Sequence, residues 1–215
     1  MKKAIVLSII VAFTLVGCAG MNNQQKGTAI GAGAGAAVGA LAGGGVWGVL
    51  LGAAVGGAAG NLIGKNMDKQ AKELEQAVPT AEVQRVGEGI NMTFDSSLMF
   101  AVNSATISES YKDDLAAAAT VFKKYPDTNI LVEGHTDNTG TDAINIPLSE
   151  KRAMAVSDFL ESQGIAGSRL EDKWYGSSQP KYPNDTPENQ AKNRRVELGI
   201  YANDEGVAKA EAAAG

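Results

Sequence analysis

Gly134-His135-Thr136-Asp137-Asn138-Thr139-Gly140, then Asn145-x-x-Leu148-Ser149-x-x-Arg152-Ala153, is the stretch that orders the rest of the chain. Just ahead of it, Asn129-Ile130-Leu131-Val132-Glu133 is a short apolar run of strand-forming residues closed by Gly134. Behind it, Ala153, Val156, Phe159 and Leu160 recur at helical spacing up to Gly164, a helix stop. This places Asp137 just past a strand and Arg152 near the first turn of the helix that follows. An acid and a fixed cation then face one crevice at a strand-to-helix junction. Such a pair suits a ligand carrying an ammonium and a carboxylate on one carbon.

Upstream, Val83–Val86 and Ile90–Phe94 read as two strands around Gly87-Glu88-Gly89, with Ile90, Met92 and Phe94 alternating inward. Tyr111, Leu115, Ala118 or Ala119, and Phe122 share one face of a helix that ends before Pro126. Downstream come a strand at Leu170–Tyr175, a loop with Pro180, Pro183 and Pro187, and a last strand at Arg195–Tyr201. Strands alternating with helices predict a compact α/β sandwich over residues 83–201, one mixed sheet with helices on one face. Residues 202–215, rich in Ala, Glu and Lys, are expected to be a disordered tail.

These blocks resemble the OmpA-like peptidoglycan-binding domain family. The matching pieces are Phe94-Asp95, Phe100 with Asn103-Ser104-Ala105, the two quoted motifs, Pro180, and Asn193-Arg194-Arg195-Val196-Glu197. The resemblance implies the βαβαβ fold of that family. It further implies that Asp137 and Arg152 grip the meso-diaminopimelate of a peptidoglycan stem peptide. Arg152 would pair with its carboxylate, and Asp137 would accept from its free ammonium. Thr136, Asn145 and Asn193 are expected hydrogen-bond partners, with Arg194 flanking the site. Pro147 departs from a simple helix here, because an interior proline costs about 3 kcal/mol; a helix starting before Asn145 should kink at it. His135 has no serine or cysteine nucleophile pattern beside it and reads as structural or rim.

The N-terminus reads as a targeting segment. Lys2-Lys3 precede an apolar core, and Leu15-Val16-Gly17-Cys18 resembles a bacterial lipobox. Residues 1–17 are then a lipoprotein signal peptide, Cys18 is the lipidated first residue, and 18–26 form a linker. Acyl chains on Cys18 anchor the chain, and Ala19, by resemblance to lipoprotein sorting, favours the outer membrane.

Residues 27–64 carry no charged side chain, and their glycines have a period of four: Gly31, Gly35, Gly39, Gly43, then Gly48, Gly52, Gly56, Gly60 and Gly64. Small residues at that spacing let helix backbones approach closely. With Gly43-Gly44-Gly45 as a turn, the pattern predicts a helical hairpin resembling the glycine-zipper region of YiaD-type outer-membrane lipoproteins. Membrane association or self-packing into a homo-oligomer is favoured over a plain linker. Residues 65–82 read as a charged helical connector closed by Pro79.

One cysteine and one histidine in 215 residues exclude a disulfide framework and a Cys/His metal cluster, and the net charge of −5 with no basic stripe argues against nucleic acid. No cofactor, metal or catalysis is expected. The expectation is an outer-membrane lipoprotein that binds peptidoglycan and tethers the membrane to the wall. The alternative is a membrane-inserting or self-assembling zipper protein for which wall binding is only an anchor.

Overall fold

The computed structural model describes residues 45–52 and 55–215. The signal segment, Cys18 and the first arm of the expected hairpin lie outside the described residues. The elements in order are α1 (Gly45–Gly52), α2 (Gly57–Ala77), β1 (Glu82–Val86), β2 (Gly89–Asp95), α3 (Ser96–Met99), α4 (Glu109–Lys124) and β3 (Thr128–His135). There follow α5 (Asp142–Ser162), a 3-10 turn (Gly167–Arg169), β4 (Leu170–Gly176), α6 (Pro187–Asn193), β5 (Arg195–Ala202) and α7 (Asp204–Ala214).

Alternation along the strands builds one mixed sheet of order β1-β2-β5-β3-β4. β5 runs antiparallel to both neighbours, and β3 pairs parallel with β4 through the α5 crossover. Ile90, Met92, Phe94, Ile130, Val132, Val196, Leu198 and Ile200 point to one face and are fully buried there. Leu115, Phe122, Val156 and Leu160 of α4 and α5 cover that face, as their helical spacing predicts. Each such large side chain contributes about 1.5–3 kcal/mol of transfer free energy. The α/β reading of the sequence is therefore the observed fold.

Gly134 sets how closely α5 lies on β3. A Cβ there would collide with the backbone carbonyl of Ser149, so only glycine permits the contact. Ser149 in turn donates its hydroxyl to the Ile146 carbonyl and accepts from Gly176 N–H at 3.0 Å, fastening α5 to the end of β4.

Four expectations need correction. Arg152 is not in the first turn of its helix, because α5 starts at Asp142 and carries through Pro147. The amides of Ile144 and Asn145 both bond to Thr141 O at 2.9 Å, and Asp142 favours the positive helix end. Pro147 sits in the second turn, where its missing N–H forfeits one bond to Ala143 O. Secondly, residues 65–82 are no separate connector: α2 runs from Gly57 and buries Ile63, Met67, Ala71 and Leu74 in the main core.

Thirdly, residues 48–64 do not form one helical arm. Gly56 and Gly57 have φ of 70° and 65°, which ends any continuous helix between α1 and α2. The Glu88 carboxylate accepts from Val55 and Gly56 N–H at 2.7 and 3.2 Å, and Gly60 leaves room for it. α1 then adds a small layer on the opposite sheet face, where Val46 and Leu50 pack with Val86 and Leu131. Gly89 and Gly199 are the seats: a Cβ on either would press into Leu50 or Val46. Fourthly, the tail is helical. Asn203 caps α7 by accepting from Gly206 N–H at 2.9 Å, and Val207 and Ala210 are buried against the domain.

Candidate functional site

β2 and β3 both run antiparallel to the β5 strand between them, so they are parallel to each other and end at the same sheet edge. β5 begins at that edge. The chain therefore delivers Ser96 after β2, Asp137 after β3 and Arg194 before β5 to one place. Ser96 N–H bonds Arg194 O at 3.0 Å, and Thr136 N–H bonds Gly176 O at 2.9 Å, locking these strand exits together. A crevice outside the carboxyl ends of parallel strands is a common place for ligands in α/β sheets.

The crevice has a volume of about 640 Å³. Of the residues expected from the sequence, Thr136, Asp137, Asn145, Arg152 and Arg194 all line it. Asp137 is nearly buried. Its Oδ1 accepts from Thr139 N–H at 2.8 Å, a local turn of the kind aspartate forms, and its Oδ2 accepts from Arg194 Nη1 at 2.5 Å. Burial pushes this carboxyl up, but Arg194 and the Thr139 contacts outweigh it and hold the pKa below the ordinary aspartate value.

Arg152 is more firmly held than a free fork. Nε donates to Ser104 O at 3.0 Å, Nη1 to Ser96 Oγ at 3.2 Å and Nη2 to Ala101 O at 3.5 Å. The guanidinium also lies 5.0 Å from the centre of the Phe100 ring. Burial and the nearby Arg194 charge lower its pKa, with Asp137 opposing, yet an arginine remains a cation at neutral pH. Of five guanidinium N–H groups, these bonds leave one on each terminal nitrogen for an anion. The loop that supplies Ala101 and Ser104 turns at Asn103, with φ 54°, a conformation asparagine tolerates.

Asn145, despite Pro147, is buried and reaches the Asp137 carbonyl through Nδ2 at 3.4 Å. Asn193 does not line the crevice. It is fully buried, accepts from Lys181 and Tyr182 N–H at 2.9 Å each, and donates to Tyr182 O at 2.8 Å. Its place is to clamp the loop after β4. His135 is also outside the crevice, stacked on Tyr175 at 5.4 Å between ring centres. Sequence reasoning gave no role to Ser96, Ser97, Thr139 or Lys151; Thr139 stood inside the quoted motif and the two serines follow Phe94-Asp95, while Lys151 had no signal. Among the described residues no group of three His, Cys, Asp or Glu could hold a metal ion.

The crevice residues from Phe100 to Arg194 lie in the stretch of the chain that is similar to the OmpA family. Residues 99–194 match the OmpA family, and residues 1–68 match the YMGG-like Gly-zipper family. The chain is 38% identical over 122 residues to the peptidoglycan-binding protein ArfA of Mycobacterium tuberculosis, covering 57% of this chain and 36% of that one. It is 36% identical over 118 residues to the probable lipoprotein YiaD of Escherichia coli, covering 55% of this chain and 54% of YiaD. The matched region thus spans between about a third and about half of these relatives' length. Among solved structures, the cell wall anchor of the T6SS from Pseudomonas aeruginosa superposes with a TM-score of 0.56 at 26% identity, covering 64% of this chain and 97% of that one.

Proposed function

We propose that this protein is an outer-membrane lipoprotein that binds peptidoglycan non-covalently and tethers the membrane to the wall. The observation that carries the reading is the placing of Asp137 and Arg152 on one crevice of about 640 Å³. A diaminopimelate stem offers both complements on one carbon: a carboxylate for the two remaining N–H groups of Arg152, and an ammonium for Asp137. The relatives named as peptidoglycan-binding protein, lipoprotein and wall anchor support the same reading. Two charge-assisted contacts of ~1.5–3 kcal/mol each give weak affinity per stem. Lipid anchoring at Cys18 and the repeated stems of the wall raise the effective concentration enough for tethering without catalysis.

Calorimetric titration with a muropeptide bearing free meso-diaminopimelate tests the reading. Saturable binding that disappears with a lysine-containing muropeptide is expected, because lysine lacks the second carboxylate. Equal binding of the two, or none to either, contradicts it.

A further inference from the structure

α5 meets the crevice at the strand exits in two tiers. The inner tier is Asn145 and Arg152, both buried. The outer tier is Ile144, Leu148 and Lys151, which also line the crevice. Their i, i+4, i+7 spacing puts them on one face of the helix. Ile144 is 56% exposed, and Val102, which lines the same crevice from the loop after α3, is 91% exposed. Lys151 is exposed as well. The crevice therefore has an open apolar rim that ends in a cation.

The charged lining is Asp137, Lys151, Arg152 and Arg194, three cations to one acid, on a chain whose net charge is −5. Arg194 is paired with Asp137 at 2.5 Å, and Arg152 keeps two N–H groups for one carboxylate. The lysines in salt bridges among the described residues are Lys112, Lys124, Lys173, Lys181 and Lys209, and not Lys151. One turn to either side of Lys151 stand Pro147, Leu148, Met154 and Ala155, so α5 offers it no acid. A diaminopimelate end brings one carboxylate and one ammonium, and so leaves this cation unmatched.

We propose that Lys151 sets specificity for the stem peptide beyond its diaminopimelate end, pairing with a second stem carboxylate while Ile144, Leu148 and Val102 lie along the peptide. This rests on the wall-binding reading of the crevice. From Ile144 to Lys151, α5 rises roughly 10 Å. That is about the length of three extended peptide residues at ~3.3–3.6 Å each. A stem offers two such carboxylates: the α-carboxylate of the γ-linked glutamate before diaminopimelate, and the carboxylate at the stem's C-terminus. Both present the same oxygens to an ammonium, a point charge that needs no fixed fork geometry. Amidation removes the charge, so through Lys151 the crevice discriminates acid stems from amidated ones.

The test is a calorimetric titration of the full chain with three tetrapeptide muropeptides: the unmodified acid, one amidated at the glutamate α-carboxylate, and one amidated at the C-terminus. Amidation at one of the two positions should weaken binding to wild type by about two- to fivefold, the worth of an exposed ion pair. The position that does so identifies the carboxylate. Lys151→Met should bind the unmodified stem more weakly by the same factor and be indifferent to that amidation. Lys151→Arg should restore both properties, and neither variant should change the melting temperature. The proposal is overturned if neither amidation weakens wild type, or if Lys151→Met stays as sensitive to amidation as wild type. Asp137→Asn separates this failure from failure of the crevice itself. Loss of binding in Asp137→Asn with Lys151→Met indistinguishable from wild type overturns this inference alone; wild type binding none of the three stems overturns both.

Discussion

Arg194 Nη1 lies 2.5 Å from Asp137 Oδ2, so the acid of the crevice is held by a cation of its own chain. Arg194 is about one third exposed and Asp137 nearly buried, which makes the arginine the mobile partner. Arg194→Ala removes the largest influence holding the Asp137 pKa down and leaves burial opposed only by the Thr139 contacts. The Asp137 pKa should then rise above its wild-type value, as read by carboxyl-carbon NMR over an acid titration. An unchanged pKa would mean that the pair is not formed in solution.

Arg152 has two duties, because the acceptors that orient it also tie α5 to Ser96 of α3 and to the loop after it. Arg152→Ala should abolish ligand binding and also lower stability by about 1.5–3 kcal/mol, the worth of hydrogen bonds to a charged group. Arg152→Lys keeps the charge but not the three directed bonds to Ser104, Ser96 and Ala101, and should recover neither property fully. Urea denaturation beside a binding assay separates the two losses. Loss of binding with unaltered stability in Arg152→Ala would show that these bonds contribute nothing.

The second sheet face carries a pH signature. Burial raises the Glu133 carboxyl from its ordinary value to about 7, despite help from Val46 backbone, Lys173, Arg195 and Tyr175. Burial likewise lowers the neighbouring His135 to about 3. A raised carboxyl favours folding below pH ~4.5 and loses that favour as pH climbs to about 7. A lowered histidine does the reverse, its favour being present above pH ~6.5 and lost as pH falls toward about 3. The two slopes oppose each other between pH ~4.5 and ~6.5, flattening their joint effect. Glu133→Gln deletes the falling limb. The stability of that variant relative to wild type should therefore climb by about 1.4 kcal/mol per pH unit across this window. A pH-independent difference in urea midpoints would contradict the burial of an ionisable Glu133.

α2 belongs to the domain, so a fragment starting at residue 79 should be damaged. It lacks Ile63, Met67 and Leu74, each worth about 1.5–3 kcal/mol when buried. Thermal unfolding of residues 79–215 should fall well below that of residues 45–215. Equal melting temperatures would show that α2 packs without stabilising.

Much of this was legible in the sequence because single residues carried unambiguous signals. The alternation of Ile90, Met92 and Phe94 gave strand and inner face, and the Gly134 to Gly140 motif located the strand exit. Legibility failed where two signals competed. Pro147 argued for a late helix start, but one lost bond in the second turn is outweighed by the Thr141–Asp142 start and the contact at Gly134. The glycine period predicted helix pairing, yet Gly56 takes φ 70° to break the helix between α1 and α2, and Gly60 makes room for the Glu88 carboxylate. Asn193 stood beside Arg194 in one motif, and no spacing rule says that neighbours at a strand entry point to opposite sides. The tail lacked a strong apolar stripe, so its docking through Val207 and Ala210 had no periodic signal.

Cosedimentation of residues 45–215 with purified diaminopimelate-type sacculi tests wall binding most directly, comparing wild type with Asp137→Asn. This substitution keeps the shape and the Thr139 contact but removes the charge that an ammonium requires. Circular dichroism establishes that both are folded. Wild type should pellet with the sacculi and be released by free meso-diaminopimelate, and folded Asp137→Asn should stay in the supernatant. Wild type remaining in the supernatant, or Asp137→Asn pelleting equally, would contradict this expectation.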